Sequence, residues 1–271
     1  MPSKGYSPEG RIRESELLEF LEEPEQEIIG REDEIISLQI VLRKKRMRNI
    51  VLVGEAGVGK TELVKEVARR EKENGYAFIE FFMTNLVANT KYRGEFSKKA
   101  LNAIYLLRRY GEETKKKVIC FIDEAHMMVK NGGTGEDASD CLGNMLKPYL
   151  SSGKITIWGA TTPKEYKETF LLDPALARRM GTLYIGELSK EAVMKILTNF
   201  AKKKVSNRML EVIYGVSTSI PNSHQPDIGI ELLDRVMATS KFTGEAITDE
   251  LVKKIGDSMK ISFKSQCDLA R

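Results

Sequence analysis

Cysteine, histidine, proline and tryptophan are all scarce in this chain of 271 residues, which has three, two, eight and one of them. Cys120, Cys141 and Cys267 are too few and too far apart for a disulfide framework, and His126 and His224 add no zinc-ligand spacing. A reducing, cytoplasmic setting is the expectation. No apolar run approaches the roughly 18 residues of a membrane span, and the N-terminal stretch lacks the apolar region of a signal peptide, so a membrane is not an expected partner. Low proline, 41% apolar and 30% charged residues exclude a disordered or collagen-like chain and leave a globular one with a sizeable core. Concentrated charge of one sign is also missing: 43 basic against 39 acidic residues leave only +4. That balance makes a dedicated nucleic-acid module the lesser reading. The densest basic run, Arg43-Lys44-Lys45-Arg46-Met47-Arg48, has no interleaved aromatic and suits a solvated helix end as well as an acidic partner.

What is present is an alternating pattern. Residues 1–26 are polar and mixed in charge with one amphipathic patch at Leu17, Leu18, Phe20 and Leu21, and read as a flexible leader able to dock a helix, with ordered structure beginning near Ile28. Helical spacing from Arg31 to Arg46 is followed by a β-branched strand at Asn49 to Val53. Helices at Lys60 to Lys72, Glu95 to Arg109, Cys141 to Leu150 and Lys164 to Leu171 then alternate with strands at Tyr76 to Phe82, Lys117 to Asp123, Ile155 to Ala160 and Thr182 to Ile185. Such alternation predicts parallel βαβ units and a sheet covered on both faces. From Ser189 onward strand signals stop and four helices are expected, at Glu191 to Lys203, Asn207 to Ser217, Asp227 to Thr239 and Thr248 to Lys260.

Gly54-Glu55-Ala56-Gly57-Val58-Gly59-Lys60-Thr61 is a G-x-x-x-x-G-K-T loop between a strand and a helix, the context a phosphate-binding P-loop (Walker A) requires. Its backbone amides can converge on the phosphates of ATP or ADP, Lys60 can reach the β- and γ-phosphates, and Thr61 offers a hydroxyl to Mg²⁺. The strand Val118-Ile119-Cys120-Phe121-Ile122 ends in Asp123-Glu124. Some 60 residues after a P-loop, Asp123 suits the metal and Glu124 suits the activation of water. By itself a strand ending in two acids could equally cap a helix. Cys120 reads as a small core residue, and His126 either touches nucleotide or packs at a helix start. The expectation is an α/β P-loop NTPase: a three-layer αβα parallel sheet over residues 27–187, a smaller all-α lid over 188–265, and a tail at 266–271.

Around these motifs the chain resembles the first ATPase module of Clp-type AAA+ unfoldases, from about Glu27 to Lys260. Ile28-Ile29-Gly30-Arg31-Glu32 resembles that family's opening motif, which implies adenine contacts for Ile28 and Ile29. Thr90-Lys91-Tyr92-Arg93-Gly94-Glu95-Phe96 resembles the pore loop that grips substrate through Lys91, Tyr92 and Arg93. Residues 131–140 match the position of its second pore loop. Ile157-Trp158-Gly159-Ala160-Thr161-Thr162 resembles the sensor-1 strand, in which Thr162 would orient the attacking water. Leu176-Ala177-Arg178-Arg179 resembles the paired arginines that reach a neighbouring subunit's nucleotide. The residues themselves leave simpler readings open: Tyr92 packed on a sheet edge, Thr162 capping the helix at Pro163, Arg178 and Arg179 as helix-end cations. Departures are Ala56 for a proline, Ala125 for a larger apolar residue, Cys141-Leu142 where one small residue is usual, and Ile228 where the family has lysine.

The resemblance implies a homo-hexameric ring that hydrolyses ATP and moves protein substrates through a central pore. The alternatives are an ATP-dependent assembly switch that does not thread and, less favoured, a loader acting on DNA. No I-G-F or I-G-L tripeptide occurs, since Ile29, Ile185, Ile228 and Ile255 each precede a glycine that is not followed by Phe or Leu, so docking onto a Clp peptidase is not supported. With no second P-loop and no adaptor repeats, substrate choice is expected to come from the leader, the pore loops or a separate adaptor.

Overall fold

The computed structural model describes residues 7–24, 26, 28–88, 93–130, 142–152 and 155–269. Six strands form one sheet: β1 (Leu18–Phe20), β2 (Ile50–Val53), β3 (Tyr76–Phe81), β4 (Lys117–Ile122), β5 (Thr156–Thr161) and β6 (Gly181–Tyr184). Their order is β1-β3-β4-β5-β2-β6. Every neighbouring pair is parallel except β1 with β3. The all-parallel expectation is therefore corrected at one edge.

Two compact units result. The first holds Met1–Ile28, Glu32–Gly54 and Lys60–Ile185, and the second holds Ile29–Arg31, Glu55–Gly59 and Gly186–Arg271. The division is not the single cut near residue 188 that composition suggested, because two short segments from the first half of the chain cluster with the C-terminal helices.

In the first unit, side-chain alternation along the strands separates two faces. Val51, Val53, Ile79, Phe81, Cys120, Ile122 and Ile157 share one core with Phe96, Ala100, Ala103, Ile104 and Leu107 of helix α5 (Arg93–Thr114). The intervening residues Ile50, Leu52, Phe78, Phe121 and Trp158 are also buried, outside that cluster. Helix α2 (Glu32–Arg43) buries Ile35, Leu38 and Leu42, and helix α3 (Lys60–Glu71) buries Leu63, Val64 and Val67. The Tyr76 hydroxyl donates to the Leu42 carbonyl at 3.1 Å and ties the end of α2 to the first residue of β3. Burial pushes the Cys120 thiol up to about 12, which makes it a core residue with no thiolate character at neutral pH.

The leader is the clearest correction. Ser7 accepts from the Gly10 amide and caps helix α1 (Pro8–Arg13), Ile12 is fully buried, and Arg11 pairs with Glu113 on α5. Leu18 then pairs with Phe81 and Phe20 with Ile79 in the antiparallel β1–β3 ladder, while the Leu21 amide donates to the Phe78 carbonyl. The physical reason is the edge of β3: left uncovered, its amides and carbonyls would face solvent as an unpaired ladder, and a three-residue strand closes it.

The helix expected at Lys164 to Leu171 is broken into α8 (Pro163–Glu168) and a 3-10 turn at Phe170–Leu172, and α9 (Pro174–Ala177) follows. Thr169 leaves helical geometry with φ −128° and ψ −74°, and Pro174 restarts the chain as a first helical residue. Helix α9 has only four residues and depends on its cap. Asp173 accepts from the Ala175 and Leu176 amides, both at 3.0 Å, and pairs with Lys147 at 2.7 Å. Lys147 lies on helix α7 (Leu142–Ser152). Helix α4 (Met83–Ala88), which the sequence reading passed over, and the four-residue α6 (Met127–Lys130) also belong to this unit.

The second unit contains α10 (Lys190–Ala201), α11 (Asn207–Ser217), α12 (Asp227–Thr243) and α13 (Asp249–Leu269). Ser189 and Ser206 cap the first two by accepting from Ala192 and Met209 amides. Val193, Leu197, Leu210, Ile213, Leu232, Leu233, Val236 and Val252 form the core. Ile228 belongs to it, which explains an apolar residue at the position where the family pattern has lysine. Helix α13 runs on into the segment expected as a tail from 266, as far as Leu269, since nothing in its sequence after Gly256 breaks a helix. Among the described residues no helix is long and apolar enough to cross a membrane.

Two stability measurements follow from this packing. Leu18→Ala removes a side chain only 2% exposed and should cost about 2–4 kcal/mol in urea unfolding; a change below about 0.5 kcal/mol would mean that the leader does not contribute to the core. For Asp173, partial burial works to raise the carboxyl, but Lys147 and the two amides outweigh it and hold the group below its ordinary value. The ion pair therefore stabilises the fold above about pH 4 and is lost as pH falls through the folded value. Asp173→Asn keeps the cap acceptor and removes the charge, so it should cost about 0.5–1 kcal/mol at neutral pH and progressively less in acid.

Candidate functional site

Three strands of the first unit end side by side. Val53 of β2 is in register with Thr161 of β5, and Gly159 of β5 with Ile122 of β4, so Gly54, Thr162 and Asp123 follow directly on neighbouring carboxyl ends. The Gly54 amide donates to the Thr161 carbonyl at 3.1 Å. Lys60 and Thr61 open α3, and Lys60 Nζ donates to the Gly54 carbonyl at 2.9 Å. The Thr61 hydroxyl donates to Asp123 Oδ2 at 2.8 Å, across 62 residues of sequence. Asp123 Oδ1 accepts from the Glu124 amide at 2.9 Å. One carboxylate thus holds both the helix that follows the glycine-rich loop and the turn that carries Glu124. A hydroxyl and a carboxylate at this separation are hard oxygen donors of the kind Mg²⁺ takes.

The loop Glu55–Gly59 clusters with the second unit. Gly57 and Gly59 have φ of +81° and +90°, values that a side chain rarely tolerates, and a Cβ on Gly57 would lie 2.7 Å from Cβ of Asp227. The buried guanidinium of Arg31 donates to the Val58 carbonyl at 2.9 Å and to the Gly186 carbonyl at 2.6 Å. Arg31 is thus the side chain that joins the opening motif, the loop and the start of the helical segment. Ile28 and Ile29 are partly buried. Gly30, with φ +73°, comes close enough to α10 that a Cβ would meet Ala192 at 2.8 Å. Burial raises the Asp227 carboxyl, and Glu231 raises it further. The sequence reading gave neither Arg31 nor Asp227 a role of its own.

Glu124 has φ +51°, a left-handed conformation that costs a non-glycine residue roughly 1 kcal/mol or more. The turn is anchored on its far side by Ala125, whose amide donates to the Ala160 carbonyl at 2.8 Å. A Cβ on Gly159 would come within 2.6 Å of the Ala125 methyl, so a small residue at 125 and none at 159 let the turn lie against β5. Ala125 in place of a larger apolar residue is thereby explained. The Glu124 side chain is 57% exposed. Partial burial, then the charges of Glu165 and Asp123, raise its carboxyl above the ordinary value, a direction that favours a general base.

His126 and Glu165 complete this cluster. His126 Nδ1 lies 3.2 Å from carboxylate oxygens of both Glu124 and Glu165, so one ring N–H can serve the two. Glu165 Oε2 also accepts from the hydroxyls of Thr161 and Thr162 and from the Thr162 amide, at 3.1, 2.8 and 3.2 Å. The Glu165 amide donates back to Thr162 Oγ1, closing a reciprocal cap at the start of α8. Partial burial would raise Glu165, but the Thr162 bonds outweigh it and hold the carboxyl low. The three ligand atoms of Glu124, His126 and Glu165 fall within 4.8 Å of one another, a spacing that the shared His126 proton accounts for. Thr162 is a helix cap here, as its own chemistry suggested, and it lies beside the turn that bears Glu124. Glu165 escaped the sequence reading, although T-x-x-E before a helix is a legible capping signal.

Arg178 and Arg179 are not brought to this cluster. They lie just before β6, and Gly181 pairs with Ile50, so they sit at the amino end of β2 while Gly54 follows its carboxyl end. Four strand residues separate the two ends by about 13 Å. Of the gripping loop, Lys91 and Tyr92 lie outside the described residues; the backbone of Arg93 begins α5. The second-loop segment 131–140 and Cys141 also lie outside them.

The model of the ATPase family associated with various cellular activities (AAA) matches residues 50–187. The chain is 34% identical over 258 residues to the chaperone protein ClpB of Mycoplasma pneumoniae, covering 90% of this chain and 35% of that one. It is 33% identical over 239 residues to ClpB of Corynebacterium glutamicum, covering 83% and 28%. It thus spans about a third of the length of these relatives. Among solved structures it is similar to Hsp104 with ATPγS and FITC casein (TM-score 0.74, 26% identity, 91% of this chain and 45% of that one). It is likewise similar to the S. cerevisiae Hsp104–ADP complex (TM-score 0.72, 28% identity, 86% and 42%). The chain belongs to the AAA family of ATPases and is similar, within it, to the Clp-type chaperones ClpB and Hsp104.

Proposed function

We propose that this chain is the ATP-hydrolysing module of a Clp-type protein-remodelling machine, working in a homo-hexameric ring that draws polypeptide through a central pore. The observation that carries the reading is the Thr61–Asp123 hydrogen bond, which joins the end of the phosphate loop to the acid at the end of β4. Thr61 and Asp123 would hold Mg²⁺, which when bound offsets phosphate charge. The amides of residues 54–59 and the Lys60 ammonium would bind the triphosphate, and Ile28 and Ile29 the adenine. Glu124 accepts a proton from the water that attacks the γ-phosphorus, while Thr162, held by Glu165, orients that water. ADP and inorganic phosphate leave. Arg178 and Arg179, at the far end of β2 from the phosphate loop, can stabilise transferring charge only on another copy, which favours assembly. Similarity to Hsp104 seen with casein supports a protein substrate.

Glu124→Gln should leave nucleotide binding intact and lower ATP turnover at least 100-fold, measured as phosphate release against fluorescent-nucleotide affinity; unchanged turnover would remove Glu124 from the mechanism. For threading, Tyr92→Ala should slow unfolding of a tagged fluorescent protein several-fold with ATPase activity retained. Equal unfolding rates in the two proteins would exclude Tyr92 as the grip and favour an ATP-dependent switch.

A further inference from the structure

The turn after β4 fixes the backbone of Glu124 but not the direction of its carboxylate, which is reached through freely rotating bonds and is more than half exposed. The His126 ring stands beside it on the same turn. That side chain is only 15% exposed, and the Met127 and Val129 amides, donating to the Glu124 and His126 carbonyls at 2.9 and 3.1 Å, tie its backbone into the start of α6. Nδ1 of the ring faces three oxygens: Oε2 of Glu124 and Oε2 of Glu165, both at 3.2 Å, and the Thr161 hydroxyl at 3.4 Å. The Thr161 hydroxyl has one proton and gives it to Glu165, so toward the ring it is an acceptor like the two carboxylates. The surroundings therefore assign the ring proton to Nδ1.

Glu165 Oε2 already accepts from the Thr161 and Thr162 hydroxyls and from the Thr162 amide. A carboxylate oxygen has two lone pairs, so a further donor finds little room there and the His126 proton is left for Glu124. The same crowding gives the Thr162 hydroxyl a direction. Its proton goes to Glu165 at 2.8 Å and one lone pair takes the Glu165 amide at 3.3 Å, which leaves it one lone pair and no proton to offer. A water that meets both Glu124 and Thr162 therefore meets two acceptors, and its own lone pair stays available for an electrophile. We propose that His126 and Glu165 are positioning residues for ATP hydrolysis: Glu165, its oxygen filled by the threonine donors, aims the His126 N–H at Glu124, and by taking the Thr162 proton it makes Thr162 an acceptor for the attacking water. The inference rests on the reading of Glu124 and Thr162 as the groups that face that water. His126 and Glu165 each act through another side chain.

The test is ATP turnover by the full chain with Mg²⁺, expressed per nucleotide site counted with fluorescent ADP, so that loss of folded protein does not register as loss of rate. His126→Leu fills the space of the ring without an N–H and should lower kcat about tenfold or more, with KM and ADP affinity within about twofold of wild type. His126→Asn carries an amide N–H close to where Nδ1 stands and should recover most of that loss. Equal rates in wild type and His126→Leu, or His126→Asn as slow as His126→Leu, would overturn the proposal. Glu165→Ala should lose kcat in the same way, whereas Glu165→Gln, whose carbonyl still accepts the threonine protons, should stay within about threefold of wild type. A wild-type rate per site in Glu165→Ala would leave Glu165 a helix cap only and overturn its part. In the Glu124→Gln protein, His126→Leu should cost less than about twofold further, because the carboxylate through which the ring acts is already gone. A further loss as large as in the wild-type background would give the ring a different role and overturn the proposal. Glu124→Gln by itself reads the underlying assignment: a wild-type rate removes Glu124 as the base, while a slow rate beside a normal rate in His126→Leu overturns the positioning alone.

Discussion

The register of three parallel strands governs the rest of the molecule. Because β2, β5 and β4 are neighbours and run the same way, their carboxyl ends fall together, and residues far apart in the chain arrive at one place without any long loop having to reach. Ligands in open α/β sheets collect outside strand ends of this kind. A shift of one residue in β4 would turn Cys120 and Ile122 to the other face and carry Asp123 away from Thr61.

Local strain at Glu124 is tolerated because its surroundings over-determine it. Asp123 takes the Glu124 amide, Ala160 takes the Ala125 amide, and the missing side chain of Gly159 lets the turn sit close. The left-handed backbone then projects the Glu124 carboxylate toward His126, which Glu165 draws from the other side. Glu165 in turn binds both threonines at the end of β5, so the proposed base and the proposed water-orienting hydroxyl share one hydrogen-bond network. A network of charged and neutral donors in a partly buried setting is stiffer than its separate pairs.

The two ends of β2 carry different electrostatics. At its carboxyl end, the Thr61 hydroxyl meets the carboxylate of Asp123, which follows β4; at its amino end, Lys45, Arg46, Arg48, Arg178 and Arg179 line one cavity. Asn49 is the hinge of that second arrangement, since one buried amide and its own backbone carbonyl fasten α7, β5 and the segment before β6 together. The cap of Asp173 on α9 supports the same region by fixing where Arg178 and Arg179 begin. Arginine placement here is thus a matter of neutral hydrogen bonds and one ion pair rather than of arginine packing.

The sequence alone determined the alternation of strands and helices, the glycine-rich loop between a strand and α3, and the two acids that follow β4, because each rests on local periodicity or on residues at fixed spacing. It also marked the helical C-terminal segment. It did not disclose that residues 8–20 build a helix and the antiparallel edge strand, since three residues of modest β-propensity become a strand only when β3 offers an open ladder. Nor could it continue α13 into the expected tail or end α8 at Glu168 and restart the chain at α9, where individual backbone angles and a distant lysine decide. His126 meeting Glu165, Gly57 meeting Asp227, and Lys45 sharing a cavity with Arg179 are long-range encounters. Only the tertiary structure decides such encounters, because burial, close approach and charge convergence depend on which surfaces the sheet brings face to face.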